Sequence, residues 1–412
     1  MNNVYFCYPS KTIGGAELLF LRCANYLAKN KEMVIFYIDY IDGYCWRLMD
    51  DESINKVEYD DKPLSILPNS VVIVPLSTLT CLGRYIKNVN EIKLLFWSIS
   101  PQNLTRKIDI YKEKLFCLNK EKRKIVGTRL KKLTEQGVIR YMDYSNYYNC
   151  SKVFLFNTSQ VDYLPIFVDD FNLITKDTYN RNKSKITFLW LGRLDVDKYF
   201  TIVTFINELE DLSHTTPVRL IIIGKGSVEN KIKEKAKKCS IEIIFAGIKT
   251  GKELFNIIDV ESDIGLAMGT SALDIAKRCK PVIVEGFLKK EYEHGQINDY
   301  LCLNELQYYD VVSPGYYDSQ KGSCFKETFN NILKDYDEFS QKCFMHVYLN
   351  HMMSSVGAKL EESIYNLNYD KSSYDSICYI NMIIKNNLFW KIKNYLIEFK
   401  KILQNEKDKR IR

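Results

Sequence analysis

Residues 186–198 read Ile186-Thr187-Phe188-Leu189-Trp190-Leu191-Gly192-Arg193-Leu194-Asp195-Val196-Asp197-Lys198. The first six are apolar or β-branched and end on a glycine, the pattern of a buried strand running into a tight turn. Apolar residues at helical spacing follow from Phe200 to Leu212. Strand, glycine loop and amphipathic helix in that order are the opening half of a βαβ unit, and a parallel sheet with helices on its faces is the architecture that uses it.

The same alternation continues outward from this stretch. Strands are expected at Arg219 to Ile223, Ile241 to Ala246, Asp263 to Ala267 and Pro281 to Val284, with helices near Glu229 to Lys238, Lys252 to Ile258 and Ser271 to Lys277. Upstream, Val4 to Tyr8 reads as a strand, Pro9 to Gly15 as a loop, Ala16 to Lys29 as a helix with Phe20, Cys23, Ala24, Leu27 and Ala28 on its buried face, and Met33 to Ile38 as a strand. Val71 to Val74, Leu94 to Trp97 and Val153 to Phe156 read as further strands. Tyr163-Leu164-Pro165-Ile166 reads as an extended hinge, because proline disfavours helix in the residue before it. The expected fold class is therefore α/β, with two Rossmann-like doubly wound domains at 1–165 and 166–340 and a helical tail at 341–412. Two such halves joined by a hinge would face each other across a ligand-binding cleft.

The 412-residue chain is 46% apolar and 26% charged, a balance that excludes a disordered or low-complexity chain. Its twelve cysteines include no C-x-x-C pair, and several lie in apolar runs, so reduced core thiols are expected. No leader pattern and no window of 18 apolar residues is found, so a protein neither secreted nor membrane-spanning is expected. The net charge of +7 is concentrated in two places. Residues 106–140 carry twelve Lys/Arg against four acids, and residues 387–412 carry eight against three.

Three strand-to-helix junctions have the composition to hold phosphate. Gly14-Gly15-Ala16-Glu17 would let backbone amides approach a ligand at a helix start, or would be a plain tight turn with Glu17 favouring the helix dipole. In Gly192 to Lys198, Arg193 and Lys198 lie five positions apart across a turn and can converge on one diphosphate, the first as a fork and the second as a point charge. The plainer reading is a solvated loop with a surface ion pair. Met268-Gly269-Thr270-Ser271-Ala272-Leu273-Asp274 offers amides and two hydroxyls at another helix start, where Thr270 or Ser271 could instead simply cap the helix. Of the four histidines, His214 lies in a polar loop and His294 in a charged one and neither makes a metal site with a neighbour, while packing is the favoured reading of His351.

Taken together, the early Gly14-Gly15-Ala16-Glu17, the Gly192 to Lys198 loop, the Gly224-Lys225-Gly226 turn, and the Gly269 to Ala276 helix followed by Lys280-Pro281-Val282-Ile283 resemble glycosyltransferase family 4. The resemblance spans about residues 1–360, and the Met268 to Leu273 string looks like the bacterial branch that builds capsules and lipopolysaccharide. It implies the GT-B architecture and a metal-independent retaining transfer of a hexose from a nucleotide sugar to a lipid-linked or polysaccharide acceptor. No cofactor or metal is then expected.

By that resemblance Arg193 and Lys198 would be catalytic, gripping the donor diphosphate and stabilising charge on the leaving nucleotide. Gly192, Gly269, Thr270 and Ser271 would bind the donor, and Asp274 would hold the ribose hydroxyls. Gly14, Gly15 and Ser100 would belong to the acceptor and phosphate loops. Two positions depart from the family pattern. The first of its two glutamates, eight positions before Asp274, falls on Leu266, and Ser100 stands where a histidine often follows Trp97. The rival expectation is an inactive sugar-nucleotide-binding scaffold of a polysaccharide assembly complex; another GT-B enzyme such as an epimerase is a third.

From Leu388 onward, Leu388, Ile392, Tyr395, Phe399 and Ile402 interleave with Lys391, Lys393, Lys400 and Lys401, the spacing of a basic amphipathic helix. It would lie on an anionic inner membrane surface or pack back on the first domain. A cytoplasmic protein, peripheral at the inner face of the cell membrane, is the expectation. Nucleic acid is not an expected partner, because neither basic stretch belongs to a nucleic-acid module.

Overall fold

The structure, a computed structural model, describes residues 2–11, 14–29, 32–49, 52–100, 104, 118–173, 184–284, 286, 288, 290–292, 300–306, 309–312 and 322–385. The chain divides into two compact units, one of Met1–Met142, Asn146–Leu164 and Gly357–Arg412, the other of Asp143–Ser145 and Pro165–Val356. The tail helix expected from Leu388, together with Glu285 and His294, lies outside the described residues.

In chain order the first half contains β1 (Asn2–Cys7), α1 (Gly15–Leu27), β2 (Met33–Asp39), α2 (Tyr44–Leu48), β3 (Ile54–Glu58), β4 (Val71–Pro75), β5 (Lys93–Ser98), α3 (Lys120–Glu135), β6 (Ile139–Tyr141) and α4 (Tyr144–Phe154). The six strands are all parallel in the order β3-β2-β1-β4-β5-β6. Every residue of β4 is buried, as an inner strand covered on both faces requires. At the edge, β3 exposes Asn55, Lys56 and Glu58. Helix α1 turns Phe20, Cys23, Ala24 and Leu27 inward, and the Phe20 ring packs 6.1 Å from Phe6 and 5.7 Å from Trp97.

The second half contains β7 (Ile186–Leu191), α5 (Tyr199–Ser213), β8 (Val218–Ile223), α6 (Glu229–Ala236), β9 (Glu242–Gly247), α7 (Gly251–Asn256), β10 (Ile264–Leu266), α8 (Thr270–Ala276), β11 (Val282–Val284), β12 (Leu301–Cys302), α9 (Phe325–Lys334), α10 (Tyr336–Asn350), α11 (Met353–Tyr365) and α12 (Lys371–Lys385). Its sheet runs β12-β11-β10-β7-β8-β9, parallel except for β12, which pairs antiparallel with β11. Counted from each unit's first strand, the two sheets have the same winding, the doubly wound order of a Rossmann-like fold. Phe188, Phe205, Tyr300, Phe325 and Phe329 form an aromatic cluster on one face of this second sheet.

The first unit is completed by the chain's return. A Cβ on Gly357 in α11 would fall 2.3 Å from a Tyr26 ring carbon, so glycine is what lets that helix lie against α1. Helix α12 lies along α3, with Ser373 Oγ donating to Gln136 Oε1 at 3.0 Å and Arg129 over the Tyr379 ring at 5.0 Å. Gly127 of α3 faces the Phe154 carbonyl, which a Cβ would meet at 1.9 Å.

One expected strand is not there. Residues 153–156 fall at the end of α4, whose Tyr147, Cys150, Val153 and Phe154 are buried at helical spacing; Leu155 then leaves the helix at a φ of 57°. Four consecutive residues were too short a window to separate a buried helix end from a strand.

Candidate functional site

In an open doubly wound sheet, ligands bind beyond the carboxyl ends of the strands where the winding reverses. In the second unit that point lies between β7 and β10, and the registered pair Trp190–Leu266 marks their carboxyl ends. Just past that pair the chain enters the Gly192 loop on one side and the Met268-Gly269 loop on the other. Topology therefore brings together two of the three junctions singled out in the sequence.

The Gly192 loop is fastened to the turn after β8. Gly192 N–H donates to the Ile223 carbonyl at 3.0 Å, Leu194 N–H to Lys225 at 3.0 Å and Val228 N–H to Leu194 at 2.9 Å. Glycine is required opposite: a Cβ on Gly224, at φ 143°, would fall 2.0 Å from the Gly192 carbonyl oxygen, and one on Gly226 2.4 Å from Leu194. Asp195 secures the outer turn, accepting from Ser227 N–H and Oγ at 3.1 Å and pairing with exposed Arg193 at 2.8 Å. Those contacts hold its carboxyl below the usual carboxylate range, the Ser227 amide contributing most.

Lys198 stands differently. Among the described residues no carboxylate comes within ion-pair distance of its half-buried ammonium. Burial, and then the Arg193 charge, lower its pKa below the ordinary 10.5. The point where a Cβ on Gly192 would sit is 3.2 Å from Lys198 Nζ and 3.7 Å from Trp190 Nε1, so both donors face the Gly192 Cα. The Trp190 N–H is buried and has no hydrogen-bond partner among the described residues. Arg193, Lys198 and Trp190 thus gather donors at the switch point with no matching acceptor for two of them, an arrangement suited to an anion. The role of Trp190 was not read from the sequence, where its indole is one more apolar strand residue.

Across the switch point, Gly269 has φ 64° and ψ −143°, a left-handed conformation that favours glycine, and its N–H donates to the Val311 carbonyl at 2.8 Å. A Cβ there would meet nothing within 4 Å, so the glycine serves the backbone turn and open space lies beside it. Gly269 itself is the N-cap of α8 and no side chain caps the helix, so Thr270 and Ser271 are its half-buried first residues. Asp274 accepts from Lys277 Nζ at 2.7 Å. Leu266, at the position of the family's first glutamate, is wholly buried in β10.

In the first unit, Gly14 has an extended φ of −151° and a Cβ there would meet the Glu17 carboxylate at 2.6 Å, the far end of a side chain that can move, while a Cβ on Gly15 would meet nothing within 4 Å, so neither glycine is demanded by the backbone. The β1–α1 loop is held instead by Asp39 at the end of β2. This carboxylate, 1% exposed, accepts from Ser10 N–H at 2.8 Å and Tyr40 N–H at 2.9 Å. Ser100 is half-buried just beyond β5. Of the basic residues between 106 and 140, those described lie mostly on α3, where Lys120, Lys122 and Lys124 are exposed. His351 is buried with Nδ1 2.7 Å from the Ile166 carbonyl, in keeping with a packing role. Among the described residues no group of His, Cys, Asp and Glu side chains is arranged to hold a metal ion.

Two α/β units with this winding and a helical C-terminal region define the GT-B fold, and comparison with solved structures agrees. The lipopolysaccharide outer core galactosyltransferase WaaB, in its apo form, superposes with a TM-score of 0.55 at 11% identity, covering 89% of this chain and 99% of that one. The N-terminal domain of Candida albicans trehalose-6-phosphate phosphatase gives 0.50 at 14% identity, covering 88% and 96%. An E. coli structure described as trehalose-6-phosphate bound with UDP-2-fluoro glucose gives 0.50 at 10% identity, covering 90% and 99%. At these identities the likeness is one of fold. No protein-family model and no curated protein matches the sequence.

Proposed function

We propose that the chain is a retaining glycosyltransferase that moves a hexose from a nucleotide sugar to a lipid-linked or polysaccharide acceptor of a bacterial surface polysaccharide. The observation that carries this reading is the half-buried Lys198 ammonium at the switch point, beside Arg193 and without a carboxylate partner among the described residues. Such a cation is stabilised by an anionic ligand, and a diphosphate spans the reach of both side chains. The UDP-sugar analogue named for one protein of like fold is in keeping with that ligand class.

In the proposed reaction the bond from the sugar's anomeric carbon to the diphosphate breaks. Arg193 and Lys198 neutralise the leaving charge. The acceptor hydroxyl attacks on the same face and passes its proton to a diphosphate oxygen, so configuration is retained with no carboxylate nucleophile, in contrast to the paired carboxylates of retaining glycosidases. Gly269, Thr270 and Ser271 line the other side of the donor. Gly14, Gly15 and Ser100 serve the acceptor side, where a Cβ on Gly15 would meet open space.

The alternative, an inactive nucleotide-sugar-binding scaffold, draws on two observations: Leu266 is core rather than acidic, and Asp274 is engaged by Lys277. One assay separates the two. The purified chain is given a panel of UDP-, GDP- and other activated sugars in EDTA, with and without lipid-linked acceptors. Acceptor-dependent nucleotide release is expected, and Arg193→Ala or Lys198→Ala should each lower it about 30- to 150-fold, as loss of ~2–3 kcal/mol of charged hydrogen bonding does. Tight binding without release would favour the scaffold, and unchanged turnover in the variants would sink the clamp.

The acceptor's lipid would place the protein at the inner face of the cell membrane, held by basic residues of α3 and of 387–412 on anionic lipid. Among the described residues no helix is long and apolar enough to cross a membrane. Flotation with phosphatidylglycerol-containing vesicles is expected to carry the chain upward and to weaken on truncation after Asn386. Equal flotation without the last residues would remove the tail from this role.

A further inference from the structure

We propose that Asp310 is a positioning residue for the Gly269 loop: its carboxyl anchors the Tyr309-Asp310-Val311 segment to residues 143–145, and Val311 in turn holds the Gly269 amide. This inference rests on the reading of Gly269 as part of the donor site.

All the contacts are within the second unit. Asp310 Oδ1 accepts from Ser145 N–H at 2.8 Å. The next residue, Val311, supplies the carbonyl that accepts from Gly269 N–H at 2.8 Å. The preceding residue, Tyr309, has φ 67°, a conformation that costs a non-glycine residue about 1–3 kcal/mol and persists only where its surroundings fix it. Its ring meets His351 edge-on at 6.1 Å, and His351 is itself tied to Ile166. Three consecutive residues thus fasten the Gly269 turn to two separate segments of the unit. The residue-145 and residue-310 partners are 165 positions apart in sequence.

A second buried carboxyl stands beside the anchor. Asp310 and Asp143 are 1% and 0% exposed, and Asp143 is the charged group facing Asp310 among the described residues. Ser145 brings only neutral donors, the Gly269 loop brings a backbone amide to Val311, and the titratable ring of His351 stands against Tyr309. Burial first, and the Asp143 charge second, push the Asp310 carboxyl up to about 8, against the Ser145 hydrogen bonds, which favour its ionised form. Because this pKa is raised on folding, the protonated form is the one the fold stabilises; that contribution is complete below the ordinary 3.8 and is lost as pH rises through about 8. Above it two buried carboxylates repel, and since Asp143 and Ser145 share one short segment, that repulsion and the cost of a buried charge outweigh the strengthening that ionisation gives the Ser145–Asp310 bond itself.

Asp310→Asn keeps the acceptor oxygen, supplies N–H groups toward Asp143 and cannot ionise. Hydrogen exchange read by mass spectrometry on the ligand-free protein, corrected for the intrinsic pH dependence, is the test. Between pH 7 and pH 9 the wild-type peptide covering Gly269 to Leu273 should lose at least about tenfold in protection, while the β8 peptide keeps its own. In Asp310→Asn the Gly269 peptide should stay protected at both pH values. An unchanged wild-type peptide, loss that extends equally to β8, or an Asp310→Asn protein as sensitive as wild type would each overturn the proposal. UDP titrated into the same samples addresses the donor-site reading by itself: no binding at pH 7 overturns that reading, while the exchange data still decide the role of Asp310.

Discussion

The two units order their strands alike and differ in the direction of one edge strand, yet they secure the loop after the first strand by opposite means. In the second unit the Gly192 loop is laid on the Gly224 turn with backbone against backbone, and no side chain fits between them. In the first unit the loop after β1 is tied by one buried side chain, Asp39; a Cβ on Gly15 would meet open space and one on Gly14 only the movable end of Glu17. The same strand order therefore does not imply the same demands on glycine. A glycine-rich junction is a sign of close backbone approach in one unit and of spare room in the other.

The sharpest way to break this contrast is one methyl group at each place. Gly224→Ala forces a Cβ into the Gly192 carbonyl and strains a left-handed φ, so either the loop or the strand end must move. A loss on the order of 3–5 kcal/mol is expected, read as a lowered denaturation midpoint together with lost nucleotide binding. Gly15→Ala opens a helix into empty space and should leave the midpoint within about 0.5 kcal/mol of wild type. Equal effects at the two sites would show that the second unit's loop is not locked as the contacts describe.

This contrast also explains what could be read from the sequence. Strands β7 to β11 and the helices between them emerge within a few residues of the expected bounds, because buried parallel strands and amphipathic helices carry different local periods. Arg193, Lys198 and Gly269 are legible for a similar reason: each follows a strand in a glycine-bearing junction. Edge strands β3 and β6 and the two-residue β12 were missed, since their pairing is set by neighbours rather than by their own pattern. The pairing of α12 with α3 has no local signature either. The supports of the site are more distant still. Asp39 holds a loop nearly thirty residues upstream, Trp190 is polar only through one buried N–H, and Asp310 meets a segment far away in the chain. Single residues such as these have no period to detect, and only the fold reveals what they touch.

A smaller effect, graded with pH, sharpens the comparison at the Gly192 loop itself. Lys198 has a lowered pKa because burial and Arg193 both disfavour its charge. In the free protein the ammonium is thus stabilised less than in the unfolded chain; its burden on stability is present while it is charged and is relieved as pH rises through its folded pKa, below 10.5. A diphosphate bound there would reverse the balance by adding to the weak counter-charge of Asp197 and Asp195, so binding would take up a proton wherever the free lysine has begun to lose its own. The affinity for UDP should therefore weaken with rising pH before an ordinary lysine titrates, by about tenfold for each unit beyond the free-protein pKa until the charge contact is spent. Isothermal titration in two buffers of different ionisation heat would register the proton uptake directly. Lys198→Arg, which keeps a charge that does not titrate in this range, should bind UDP with a flat pH profile. A profile unchanged by that substitution would assign the titration to another group and leave Lys198 as a buried cation with no share in the anion site.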